Sequence, residues 1–120
     1  MTERSPWVVE KVDRAILDRL AAKHAPAARA VELGVDILSD PHREDDEGFN
    51  WTLLSQARDI ADVVPGSAVV VGTSIGRYLA KVIAWDFEVD DDDPVVTLEL
   101  LAIRPSEVEH LLARNGTPAA

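Results

Sequence analysis

Apolar residues at Val9, Val12, Ile16 and Leu20 recur at spacings of three and four, the period of one helical face. Lys11, Arg14, Asp18 and Arg19 fall mostly off that stripe. Ser5-Pro6 suits a helix start, and Pro26 disfavours helix at the residue before it. The spacing therefore predicts a helix from Ser5 to about His24. A second helix is expected over Ala27 to Leu38, with Val31, Val35 and Leu38 inward and Gly34 as its weak point. Asn50 is read as the cap of a third, roughly Trp51 to Ala61, with Trp51, Leu54 and Ala57 on one face.

The pattern then changes period. Ser67 to Gly72 is short, rich in valine and bounded by Pro65-Gly66 and a glycine, which predicts a strand. Val95 to Ile103 alternates, with Val96, Leu98, Leu100 and Ala102 on one mainly apolar face. Four successive aspartates, Asp90 to Asp93, followed by Pro94 predict a turn. Ser106 and Glu109 form a capping box ahead of Val108, Leu111 and Leu112, and Gly116 ends that terminal helix. Residues 117–120 are expected to fray.

Residues 74–89 decide the fold. As a helix, Ile75, Leu79, Val82 and Ile83 share a face, which gives a βαβ unit. As a strand, Leu79, Ile83, Trp85, Phe87 and Val89 share a face, with Lys81 as the defect. The β-branched and aromatic content of 82–89 favours strand. A lone parallel pair is also a poor sheet, because parallel strands need cover on both faces. The expected fold is α+β. N-terminal helices pack on a small three-stranded antiparallel, barrel-like sheet, and a C-terminal helix closes a single domain over 1–116. A βαβ-containing α/β fold is the alternative.

Composition narrows the function classes. The chain has 120 residues, 47% of them apolar, so a packed core is expected. It has no cysteine, which excludes a disulfide framework and a thiolate metal site. No apolar run approaches a membrane span, and MTERSPWVVEK lacks a signal-peptide core, so a cytoplasmic location is expected. Nine arginines against three lysines fit a high-GC, bacterial genome.

The formal charge of −10 is local. Residues 36–47 carry six acids and one arginine, and residues 82–103 carry seven acids and no base. The rest of the chain is nearly balanced. This distribution argues against phosphate-backbone binding, which needs clustered Lys and Arg. It suits two acidic segments that are solvated or that face a basic protein.

Gly72-Thr73-Ser74-Ile75-Gly76 fits G-x-S-x-G. It resembles the nucleophile elbow of α/β-hydrolases, where serine sits between a strand and a helix. Aspartates and His110 follow in that family's chain order. The resemblance covers ten to fifteen residues. No HGGG-like segment adds an oxyanion-hole donor, and the chain is short for the family's doubly wound sheet. A four-residue hairpin turn at Thr73–Gly76, with glycines chosen for their torsion angles, explains the same residues.

His42 with Glu44, Asp45 and Asp46 lacks metal-site spacing, and Glu88, Asp90 and Asp92 lack the EF-hand pattern. No metal or cofactor is expected. Trp85 reads as core, whereas Trp7 and Trp51 lie beside terminal or loop segments. An exposed tryptophan next to an acidic rim makes a good protein-binding anchor.

The reading is a non-catalytic interaction protein for a basic partner, such as an inhibitor, immunity protein, antitoxin or accessory subunit. Its expected contact residues are Glu44, Asp45, Asp46, Glu47 and Trp51, with Asp90, Asp91, Asp92 and Asp93. A serine hydrolase using Ser74 is the first alternative. A small-barrel protein associated with nucleic acid or translation is the second.

Overall fold

The computed structural model describes residues 5–101. Its core is a nearly closed, barrel-like sheet with two short helices. The strands are β1 (Val8–Val9), β2 (Ile37–Leu38), β3 (Asn50–Leu53), β4 (Ala68–Gly72), β5 (Arg77–Asp86) and β6 (Val95–Leu100). The helices are α1 (Arg14–Ala21) and α2 (Ala28–Leu33).

The meander expected from the β-branched runs is present, since β4, β5 and β6 pair antiparallel in sequence order. The sheet is larger than three strands. It runs β2-β4-β5-β6-β3, and β1 adds to β5. The ten-residue β5 takes three partners, β6 along one edge and β4 then β1 along the other, and its pairing with β6 carries a bulge between Val82 and Ala84. Before the bulge, one edge of β5 pairs with β4. Beyond it, Trp85 and Asp86 pair with Val9 and Val8.

The sheet curls until its outer strands approach. Ile37 of β2 bridges Ala57, just past β3, and the Thr52 hydroxyl donates to the Leu38 carbonyl at 2.7 Å. Val69, Val71, Ala80, Val82, Val96 and Leu98 fill the interior. Trp85 is fully buried among them and donates its indole N–H to the Val63 carbonyl at 3.0 Å.

The helical segments are shorter than the apolar stripes predict. Asp13, not Ser5, caps α1, and its carboxylate accepts the Ile16 N–H at 2.8 Å. Val9 instead pairs as a strand, because the far half of β5 offers it an open edge. α2 stops where Gly34 turns left-handed at φ 70°. The residues beyond it leave the helix, and Ile37–Leu38 pairs parallel with β4. Val35 and Ala30 cover Val70 on the outside of the sheet.

The helix expected over 51–61 is also corrected. Asn50–Leu53 is a strand paired with β6, followed by two 3-10 turns, Leu54–Gln56 and Ile60–Val63. Its inward residues are the polar Asn50 and Thr52, so its hydrophobic order runs opposite to an ordinary half-buried strand.

The C-terminal helix expected from Ser106 to Gly116, and the tail at 117–120, lie outside the described residues. Among those described, no helix is long and apolar enough to cross a membrane.

Candidate functional site

The tetra-aspartate segment is a structured turn. One Asp90 carboxylate oxygen accepts the N–H groups of Asp92 at 2.8 Å and Asp93 at 3.2 Å. Asp93 reaches across to Ser55 and accepts both its N–H and its hydroxyl at 2.8 Å. Asp92 faces the basic edge of α1. Its carboxylate meets Arg19 at 3.1 Å and Lys23 at 3.2 Å, and its carbonyl lies 2.6 Å from His24 Nε2. Arg19 also donates to the Asp91 carbonyl at 3.2 Å.

Three of the four carboxylates therefore have work inside the protein. Asp91 differs, because among the described residues only its main chain is engaged. Asp91 lines a cleft of about 220 Å³ together with Trp7, Val9, Ile16, Phe87 and Arg19. Trp7 is 50% exposed there. It is held by its backbone, since the Phe87 N–H donates to the Trp7 carbonyl at 3.0 Å and continues the β1–β5 pairing. Trp7 is missing from the contact residues expected from sequence. Asp91 lies 84 positions further along the chain, and the pairing of β1 with β5 carries Trp7 to it.

The second acidic segment folds as a tight hairpin ahead of β3. Glu44 bridges Asn50, and one Asp45 carboxylate oxygen accepts the N–H groups of Glu47 and Phe49, each at 2.9 Å. Trp51 belongs to this end, half-buried, with the Arg43 guanidinium 4.9 Å from its ring centre. Asn50 pairs with Leu98, whereas Leu53 pairs with Val95. The loop entering β3 and the loop entering β6 thus sit at opposite ends of that strand pair. Asp46 and Glu47 do not share a surface with Asp90–Asp93.

The G-x-S-x-G segment is the β4–β5 hairpin. Gly72 pairs with Arg77, and the Thr73 N–H donates to the Gly76 carbonyl at 3.0 Å. A strand follows Ser74, so the strand-to-helix elbow is not formed. Ser74 is exposed at the loop, and His110 lies outside the described residues. The glycine at 72 has a packing reason, because a Cβ there would run into the Gly76 carbonyl oxygen.

Among the described residues, no three His, Asp or Glu side chains converge as a metal would require. No family model, curated protein or solved structure matches the chain.

Proposed function

We infer that this protein is a non-catalytic binding module for a basic protein partner, engaged through the Asp90–Asp93 turn and the Trp7 cleft. One observation carries the reading: Asp91, whose carboxylate pairs with no cation among the described residues, and a half-exposed tryptophan line one mainly apolar cleft, with Arg19, already paired to Asp92, beside them. A lysine or arginine side chain matches both parts. Its stem packs on the Trp7 ring and its charge meets Asp91. Tryptophan in such a setting is a common binding hot spot. The bonds from Arg19, Lys23 and Ser55 hold the turn in place, so little ordering entropy is lost on binding. The hairpin at Glu44–Glu47 adds negative potential that steers a basic partner without touching it. An inhibitor, an immunity protein, an antitoxin or an accessory subunit would each use such a surface.

The test is capture of a partner from the native host at low salt, followed by quantitative binding of the purified pair. Asp91→Asn and Trp7→Ala should each weaken binding by about 1–3 kcal/mol while the fold is kept. High salt should slow association. Binding that is indifferent to both substitutions overturns the reading.

A further inference from the structure

The outer side of the sheet carries a mainly apolar face that the two packed clusters do not use. Directly opposed residues of antiparallel strands share a face, so the register assigns its members. Val70 lies on the outside under α2, and Leu79 pairs with it. Leu101 continues that row, its N–H donating to the Leu79 carbonyl at 2.9 Å. Past the bulge, Ala84, Thr97 and Trp51 form a second outward row, and Asp86, Val95 and Leu53 a third. Lys81 opposite Glu99 is the charged row between the first and the second.

Two of these positions are closed off from water. Leu79 is 8% and Ala84 3% exposed, although neither belongs to the barrel interior or to the layer that α2 makes on Val70. Trp51, Thr97, Val95 and Leu53 are half-buried. An apolar sheet face is stable when a second layer covers it. The described helices pack chiefly elsewhere, α1 on the Ile60–Val63 turn and α2 on β2.

The course of the chain names the occupant. Leu101 ends the described residues on this face, and residues 102–120 follow it. Residues 1–4 are too few to serve. Pro105 has no N–H to extend the ladder. Ser106 and Glu109 fit a capping box, and Val108, Leu111 and Leu112 recur at helical spacing. The Leu101 row and the Val95 row are about 20 Å apart along β6. A helix over 106–115 would span about 15 Å. We propose that residues 102–120 fold back over the outer face of β5, β6 and β3, with the Val108, Leu111 and Leu112 stripe on Ala84, Thr97 and Trp51. Trp51 is then an internal contact, and the acidic hairpin beside it presents charge to a partner without an aromatic anchor.

Paramagnetic broadening in the 15N-labelled full chain tests it. The chain has no cysteine, so His110→Cys, off the apolar stripe, gives a single site for a nitroxide label. Loss of the Trp51, Leu53 and Thr97 amide signals is expected, with recovery when the nitroxide is reduced. Adding Leu111→Asp and Leu112→Asp to the labelled chain should restore those signals, and unchanged β4 signals confirm that the variant is folded. Where that variant unfolds, the first measurement decides alone. An equal mixture of nitroxide-free 15N chain and spin-labelled 14N chain should show no broadening. Broadening that is absent or strongest away from this face, that survives the two aspartates in a folded chain, or that passes between chains in the mixture overturns the proposal. The last result would assign the face to a second copy.

Discussion

The Arg19 guanidinium lies 3.1 Å from the Asp92 carboxylate, with 73 positions of sequence between them. Lys23, just past the end of α1, takes the other oxygen of the same carboxylate at 3.2 Å. These contacts pin the acidic turn to the helix. All three side chains are about half exposed, so the pairs are worth little individually. Asp92→Asn should lower stability by about 1 kcal/mol or less. That loss should shrink in high salt, when urea denaturation is compared at two ionic strengths.

Asp36 should matter much more. It is 3% exposed, and its carboxylate accepts the Val70 N–H at 2.8 Å and lies 3.4 Å from the Arg58 guanidinium. Its main chain bonds both neighbours as well, donating to the Val70 carbonyl and accepting from the Arg58 N–H. Asp36→Ala strands a buried donor and a half-buried cation, so a loss of about 3 kcal/mol is expected. Asp36→Asn keeps an acceptor and should cost less. Equal losses in the two variants would show that an uncharged acceptor at this position contributes nothing.

Trp85→Phe probes the centre of the barrel. It removes the indole N–H that satisfies the Val63 carbonyl and leaves space where the larger ring stood. A loss of about 2 kcal/mol follows, measured by chemical denaturation.

The hairpin separates a structural from a catalytic account of the G-x-S-x-G segment. Gly72→Ala forces a Cβ against the Gly76 carbonyl oxygen and should destabilise by about 1–3 kcal/mol. Ser74→Ala, at an exposed loop position, should change stability by less than about 0.5 kcal/mol. A fluorophosphonate probe should leave the wild-type chain unlabelled. Labelling that vanishes in Ser74→Ala would restore the hydrolase alternative.

The meander was readable because β4, β5 and β6 announce themselves locally, through β-branched runs bounded by Pro65-Gly66, by the 73–76 loop and by the aspartate turn. β3 was not. Asn50 and Thr52 point inward there, and their polar groups are satisfied by carbonyls of Pro41 and Arg43 in the preceding loop and of Leu38 in β2. A pattern rule that expects apolar residues inside reads such a strand as something else. The helix starting at Ser5 failed for a related reason. Val9 fits a helical stripe, but strand pairing with Trp85 claims it. The acidic segments were visible as charge. Which of their carboxylates stays unengaged depends on Arg19, Lys23 and Ser55, and no local signal carries that.

The bulge in β5 works like a phase shift in a reading frame. Ala80 and Val82 are even-numbered and face inward, whereas Trp85 and Phe87 are odd-numbered and face inward too. The extra residue at Ile83 is what allows both registers in one strand. Regular pairing with every residue kept would carry the even-numbered frame onward and turn Trp85 toward solvent, whereas deleting Ile83 would remove the bulge and leave Trp85 inward. The most buried aromatic of the protein thus depends on a break in the pairing of one strand.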